Sequence, residues 1–276
     1  MINFKRSVLV VAHPDDEILW FSSIIQNIEK IIIVFNKCEN KMVNIGRDKI
    51  FNLELLPYKE KITNLNIKES GVFNKANWKI PKSTEYGIHV NSRNYIKNFS
   101  KINEKLHNEL KGYENVITHN PWGEYGHEEH VQVFKSIKKI SYELNLSVWI
   151  PGYFSEQSYR MMSLYTEFVS KKLDRYKIDN EFCQKVKNIY SNNNAWTWSN
   201  NYLWPEYENF FKLKSKFFFL QEENSETPSV WSQMNFILMY HVHSTKLSII
   251  RSKIIQFLEL ILPSYVFKLL IKIKNS

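Results

Sequence analysis

Cysteine is nearly absent from the 276-residue sequence: only Cys38 and Cys183 occur, and neither sits in a Cys-x-x-Cys pair. Two isolated thiols cannot supply a disulfide framework, a Cys-rich zinc ribbon or an iron–sulfur ligand set, and they suit a reducing compartment. Glycine and proline are scarce too, at 7 and 8 residues, beside 43% hydrophobic and 15% aromatic residues. Such a composition excludes a disordered or collagen-like chain, and the length is ample for a continuous core. No long apolar run opens the chain. Residues 8–12 are apolar, but His13-Pro14-Asp15-Asp16-Glu17 cuts the run too early for a signal-peptide core or a membrane span. The expectation is a cytoplasmic globular protein.

Acidic residues are also short in number, 28 against 37 Lys and Arg, for a formal net charge of +9. The imbalance is local. Residues 246–276 hold Lys246, Arg251, Lys253, Lys268, Lys272 and Lys274 against the single acid Glu259, a net +5 that leaves +4 for the other 245 residues. So small a charge on so large a body is no nucleic-acid footprint, and no nucleic-acid partner is expected.

What is present is an alternation of short β-branched runs with stretches of helical spacing. Residues 7–12, 31–35, 115–119 and 146–150 read as strands buried on both faces. Residues 18–30, with Ile18, Leu19, Phe21, Ile24, Ile25 and Ile28, are predicted helical, as are 97–111 and 131–144, while 48–65 can be helical only up to Pro57. This order implies an α/β fold with a mainly parallel sheet, in which ligands bind beyond the carboxyl ends of the strands. Past residue 151 the pattern changes: 161–190 is charged and predicted helical, 191–207 polar and aromatic, and 222–230 an exposed loop.

Two clusters each follow a predicted strand and open a helix. One is Ala12-His13-Pro14-Asp15-Asp16-Glu17, the other Trp122-Gly123-Glu124-Tyr125-Gly126-His127-Glu128-Glu129-His130. His13, His119, His127, His130 and, more loosely, His89 lie in or near them. Imidazole nitrogens plus a carboxylate oxygen, with a position open to water, make a catalytic zinc site. A second carboxylate off the metal can serve as general base, and Asp15-Asp16 offers both roles in adjacent residues. The plainer alternative is that Asp15 or Asp16 simply caps the helix that follows.

Residues 12–17 are the AHPDDE motif of the PIG-L/LmbE-type zinc-dependent N-deacetylases, and residues 125–130 resemble that family's YGHxxH segment. The resemblance covers roughly residues 6–155, and Tyr190 followed by Trp196-Thr197-Trp198 is similar to an aromatic segment in a branch tied to surface-polysaccharide loci. It implies a Rossmann-like sheet with flanking helices, an irregular aromatic-rich C-terminal region, and hydrolysis of the acetamide of an N-acetylglucosamine-type conjugate. It implies a zinc ion, or another divalent metal, on His13, Asp16 and His130. By the same resemblance Asp15 is the general base, His127 stabilises the oxyanion or protonates the amine, Tyr125 lies beside the oxyanion, and Glu129 orients His127. Arg47 corresponds either to a substrate-contacting arginine or to a solvated helix start. Trp122, in the motif loop, is expected to line the pocket; Trp196, Trp198, Trp204 and Trp231 are weaker candidates. The chain departs from the family where a Gly-Gly pair is usual in the first helix, carrying Ser22-Ser23 instead.

The expected organisation is a deacetylase-like domain over 1–245, with its core at 6–155 and a C-terminal subregion at 156–245, and a tail at 246–276. In the tail, apolar residues alternate with lysines and Pro263 interrupts them, a pattern of two basic amphipathic helices for an anionic membrane surface. A helix docked on the core is the alternative. The implied function is removal of an N-acetyl group from an amino-sugar conjugate in surface-glycan or lipid-linked biosynthesis. The alternatives are the same reaction on a small soluble glycoside or antibiotic precursor, or a non-catalytic membrane-associated glycan-binding or assembly protein. Truncation before Lys246 is expected to abolish sedimentation with anionic liposomes and to spare the folded body; an unfolded product would show instead that the tail docks on the core.

Overall fold

Strands alternate with helices along the chain: β1 (Ser7–Val11), α1 (Asp16–Trp20), β2 (Lys30–Lys37), α2 (Lys41–Asn52), β3 (Ile62–Lys68), β4 (Ser83–Thr84), β5 (Gly87–Ile88), α3 (Arg93–Glu109), β6 (Asn115–Thr118), α4 (Glu128–Glu143), β7 (Ser147–Pro151), β8 (Tyr153–Ser155), α5 (Tyr159–Ser163), β9 (Val169–Lys177), α6 (Asn180–Asn192), β10 (Tyr207–Leu213) and β11 (Ile237–Met239). The structure is a computed structural model that describes residues 1–214 and 236–239. The expected tail at 246–276, the 222–230 loop, Trp231, His241 and His243 lie outside the described residues.

Seven strands form the main sheet in the order β3-β2-β1-β6-β7-β10-β9. The first five are mutually parallel; β10 runs antiparallel to them, and β9, antiparallel to β10, returns to their direction. β4 and β5 make a small antiparallel pair, and β8 and β11 a parallel one. The expected mainly parallel α/β sheet is therefore present.

Strand β1 shows why the sheet is covered on both faces. Its residues alternate sides, as a pleated strand requires: Val8 and Val10 join the core that contains Ile102, Leu106, Phe134 and Ile137, whereas Leu9 and Val11 join the one that contains Ile18, Phe21, Ile50 and Val186. The chain leaves β1 toward β2 on one side and returns through β6 on the other. The crevice between the carboxyl ends of β1 and β6 is thus the topological switch point, the place where such sheets bind ligands.

Three expectations are corrected. The helix expected over 18–30 ends at Trp20, and the chain continues as turns through Asn27. Continuing it would need the carbonyls of Ile18 and Leu19, but Trp204 Nε1–H donates to the first (2.7 Å) and the Tyr202 hydroxyl to the second (3.3 Å). The backbone N–H of Ser23 is likewise drawn to the Glu208 carboxylate on β10 (2.9 Å). Second, the helix expected from residue 48 starts at Lys41, where the Asn40 side chain accepts from the N–H groups of Met42 and Val43. β3 follows it as an edge strand, with Leu65 and Ile67 inward and Asn64 and Asn66 interrupting the apolar pattern. Third, 161–190 is not one helix. Residues 169–177 form β9, an outer strand whose charged sequence suits a sheet edge, and α6 begins only after Asp179 caps it.

Helix α2 crosses the end of α6 at Gly46, where a β-carbon would stand 1.8 Å from the Asn193 carbonyl oxygen. Only glycine permits that approach. The segment after α6 is thereby laid across the carboxyl ends of the strands.

Glu208 is wholly buried and accepts from the Ser22 hydroxyl (3.1 Å), the Ser23 N–H (2.9 Å) and hydroxyl (2.5 Å), and the Tyr153 hydroxyl (3.1 Å). Ser22-Ser23 is therefore a matched partner of this carboxylate. Glu208→Ala, which strands four donors, those of Ser22 and Tyr153 buried and the two of Ser23 partly so, is expected to destabilise the fold by about 2–4 kcal/mol; an unchanged denaturant midpoint would contradict this account.

Candidate metal centre

Both motif loops meet at the switch point. His13, Asp15 and Asp16 follow β1, His119 follows β6, and His127 and His130 stand at the start of α4, all of them buried. The Asp16 carboxylate is the hub: its Oδ2 lies 3.1 Å from His13 Nδ1, 3.2 Å from His130 Nε2 and 3.5 Å from His119 Nε2. Among the described residues, three sets of donor atoms are close enough to share a cation: His13/His127/His130, Asp16/His119/His130 and His13/Glu69/Glu129.

Hydrogen bonds decide among the imidazoles, because a ring nitrogen that accepts an N–H has no lone pair left for a metal. His119 Nε2 accepts from the Ala12 N–H (2.8 Å) and its Nδ1 faces Glu124 (3.0 Å), so both its nitrogens are committed. His127 caps α4, its Nδ1 accepting from the Glu129 N–H (3.2 Å). Burial holds the pKa of His127 well below the usual range, and with Nδ1 accepting, the neutral ring carries its proton on Nε2. His127 is therefore a hydrogen-bond donor, not a ligand.

His13 and His130 differ. His13 Nε2 lies 3.0 Å from the Glu129 carboxylate and His130 Nδ1 lies 2.6 Å from Glu124, both as N–H donors. Their remaining nitrogens, His13 Nδ1 and His130 Nε2, face Asp16 Oδ2, the first within hydrogen-bond distance, and buried His130 Nε2 has no hydrogen-bond partner among the described residues. As neutral rings both would turn a lone pair on that oxygen, which the His13 backbone N–H also binds (2.7 Å), and a cation among them would satisfy all three groups. The donor set fits a divalent ion, and the outward carboxylates Glu124 and Glu129 are the second partners that hold metal-binding imidazoles in place.

Asp15 stands beside this group at 1% exposure. It does not cap α1: its backbone has φ +87°, and no side-chain bond reaches the helix start. A left-handed conformation costs a residue with a β-carbon roughly 1–3 kcal/mol and persists only where the surroundings impose it. Here the Asp15 N–H is bound by Glu17 (3.0 Å), itself held by the hydroxyls of Tyr58 (2.9 Å) and Tyr190 (2.5 Å). The carboxylate Oδ2 accepts from both the N–H and the hydroxyl of Thr197, each at 2.8 Å. Burial and the neighbouring Asp16 push the Asp15 pKa up to about 8, against the opposing pull of Arg47 and Thr197.

Other expected residues fall elsewhere. The Glu129 carboxylate orients His13 and accepts from the Ser70 N–H and hydroxyl, both at 2.6 Å; it is the Glu129 backbone N–H, not this carboxylate, that binds His127. Trp122 is fully buried, with its indole N–H on the Tyr153 carbonyl (2.6 Å), and packs the core instead of lining a pocket. Arg47 is buried and ion-paired with Glu69 (2.7 Å), a counter-charge beside Asp15 with its guanidinium turned from solvent. His89 is exposed and outside the cluster. Trp204 is buried against α1, whereas Trp198 reaches the site, its ring 4.5 Å from that of Tyr125.

Four contributors went unassigned from sequence. Glu124 and Glu17 stood in the quoted motifs without a role. Thr197 stood within the quoted Trp196-Thr197-Trp198 segment without a role, 182 residues from Asp15. Phe73 is 51% exposed and stacks on His127, ring centroids 4.9 Å apart. Its loop is anchored by Glu129 at Ser70 and by Glu128 at the N–H groups of Asn74 and Ala76 and the indole of Trp78.

No family model matches the chain. An uncharacterized protein of Acanthamoeba polyphaga mimivirus is 30% identical over 144 residues, half of this chain and 57% of that protein, so the chain spans little more than half the relative's length. Among solved structures the chain is similar to a zinc-inhibited form of teicoplanin deacetylase (13% identity, TM-score 0.49, 75% of this chain and 98% of that one). It is also similar to a deacetylase in complex with teicoplanin (11% identity, TM-score 0.44, 75% and 97%). Its own geometry defines a doubly wound α/β protein with a buried centre of two imidazoles and a carboxylate at the switch point. That centre is built from the two motifs in which the chain resembles the PIG-L/LmbE-type deacetylases.

Because Glu124 holds His130 through Nδ1, Glu124→Gln is expected to weaken divalent-metal affinity by about 10- to 100-fold with little loss of fold. Chelator competition measures it, and an unchanged affinity would remove Glu124 from the support of the centre.

Proposed function

We propose that the chain is a metal-dependent N-deacetylase acting on an N-acetylated amino-sugar conjugate. The observation that carries this reading is the convergence of His13 Nδ1 and His130 Nε2 on Asp16, with an off-centre carboxylate, Asp15, and a neutral N–H donor, His127, beside them. His13, Asp16 and His130 would hold the ion, zinc or another divalent metal. When bound there it would supply Lewis acidity, polarising an acetamide carbonyl and acidifying water.

The chain's own groups account for the proton movements. Asp15 accepts a proton from the attacking water, whose oxygen bonds to the acetamide carbon. His127 Nε2–H donates to the carbonyl oxygen as it gains charge, an interaction of the kind worth about 3–4 kcal/mol in such sites. Tyr125 is adjacent, its ring 5.8 Å from that of His127. As the C–N bond breaks, the proton held by Asp15 passes to the departing nitrogen, leaving acetate and a free amine.

An amino-sugar substrate is supported by the motif resemblance and by the rings of Phe73, Tyr125 and Trp198 at the site, which suit the CH faces of a pyranose. A role in surface-glycan or lipid-linked biosynthesis, at an anionic membrane face reached by the 246–276 tail, rests on that resemblance and on tail composition. No helix among the described residues is long and apolar enough to cross a membrane. A soluble glycoside would undergo the same chemistry. A purely binding protein is disfavoured because it has no use for a strained, doubly held carboxylate beside the ligand set.

Asp15→Asn is expected to retain the metal and to lose acetate release from N-acetylhexosamine conjugates by about 10²- to 10⁴-fold. Metal analysis and acetate assay check the two halves; a variant that keeps wild-type turnover would remove Asp15 as the base.

A further inference from the structure

We infer that Thr197 is a positioning residue for Asp15, aiming its free carboxylate oxygen at the reacting water, an inference that rests on the deacetylase reading of the site. The Thr197 N–H and hydroxyl both bind Oδ2, and among the described residues no hydrogen bond reaches Oδ1. A carboxylate rotates about a broad, soft torsion. Two donors fixed on one oxygen remove that freedom and commit the other oxygen to the proton.

Thr197 can do this because its segment is itself fixed. Gly46 and Asn193 pack backbone to backbone at its root, and the Ala195 N–H returns to the Tyr190 carbonyl (2.9 Å). On the near side of the site Trp198 packs against Tyr125 and Trp20, at 4.5 and 5.4 Å between ring centroids. Beyond it Tyr202 and Trp204 bind the carbonyls of α1. Tyr190, just before this stretch, holds Glu17, which holds the Asp15 N–H. One stretch of chain, residues 190–204, thus grips Asp15 by backbone and by side chain. Thr197 is exposed while Asp15 beneath it is not. Its hydroxyl therefore spends itself on the carboxylate in preference to water, which a surface threonine serving only to cover the site would have no need to do.

The test is steady-state hydrolysis of an N-acetylhexosamine conjugate by the metal-loaded full chain. Thr197→Val removes the hydroxyl and keeps shape and N–H. It is expected to lower kcat about tenfold or more, with KM within about twofold and metal content unchanged. Thr197→Ser, which restores the hydroxyl, is expected to recover kcat to within about twofold of wild type, and Thr197→Ala to behave as Val does should Val perturb folding. A kcat unchanged in both Val and Ala, a loss confined to KM, or a Ser variant as slow as Val would each overturn the assignment. The two readings fail separately. An unaffected Thr197→Val beside an inactive Asp15→Asn overturns Thr197 alone, whereas a metal-loaded wild-type chain that releases no acetate overturns the deacetylase reading on which Thr197 rests.

Discussion

Buried negative charge is the constraint on which the rest of this structure depends. Asp15, Asp16, Glu17, Glu124 and Glu129 are all at most 3% exposed and stand within one crevice, with a single buried guanidinium, Arg47, beside them. A carboxylate removed from water is tolerated only when paired and hydrogen-bonded. The fold answers with a graded set of donors: tyrosine hydroxyls for Glu17, threonine for Asp15, and imidazole N–H groups for Glu124 and Glu129. Asp16 differs from the other four: beside the His13 N–H and the Trp20 indole, it is faced by two ring nitrogens, of His13 and His130, whose opposite nitrogens are already held by carboxylates. A cation there satisfies Asp16 and both imidazoles at once, so the pattern of partners indicates where the positive charge belongs.

The same accounting explains the division of labour among the histidines. Four imidazoles crowd the site, with ring centroids of His119 and His130 only 3.8 Å apart. They are separated in role by what binds their far nitrogens: carboxylates for His13 and His130, the Ala12 backbone N–H together with Glu124 for His119, and the helix N-terminus for His127. Each backbone donor converts a possible ligand into a packing or proton-donating group. The pair His127 and His130, three residues apart on one helix start, therefore serves two functions, and the cap at His127 is what distinguishes them.

Much of this was readable in the sequence where the determinant is local. Strands β1, β2, β6 and β7 were, because a buried parallel strand must be an unbroken apolar run; the meeting of the two motif loops was, because both follow such strands, whereas a ligand set of His13, Asp16 and His130 came only from the motif resemblance. What failed to show was decided at long range. Residues 18–30 have helical spacing, yet α1 stops at Trp20 because side chains almost two hundred residues away occupy its carbonyls. Residues 169–177 have too few apolar positions to declare a strand, and pairing with β10 makes them one. Trp122 looked like a pocket wall because of its place in the motif loop, but Gly123, at φ +66° with no room for a β-carbon against the His127 backbone, turns that loop so that Trp122 points into the core.

The two residues between His127 and His130 show how far a short motif can reach. Glu128 and Glu129 are adjacent on the first turn of α4 and cannot share a face. Glu129 turns to His13 and Ser70, while Glu128 turns to Asn74, Ala76 and Trp78, so between them they pin the two ends of a loop that has no regular structure of its own. The apex of that loop is Phe73, an aromatic side chain half in water with its face on His127. A chain selected only for stability has little reason to hold an exposed phenyl ring over a neutral imidazole by five hydrogen bonds. The cost becomes reasonable if the ring and His127 meet the same substrate, one through apolar contact and the other through its Nε2–H. On that view the motif carries the wall of the site as well as its chemistry, and a change at Glu128 would be felt in substrate fit before it was felt at the metal.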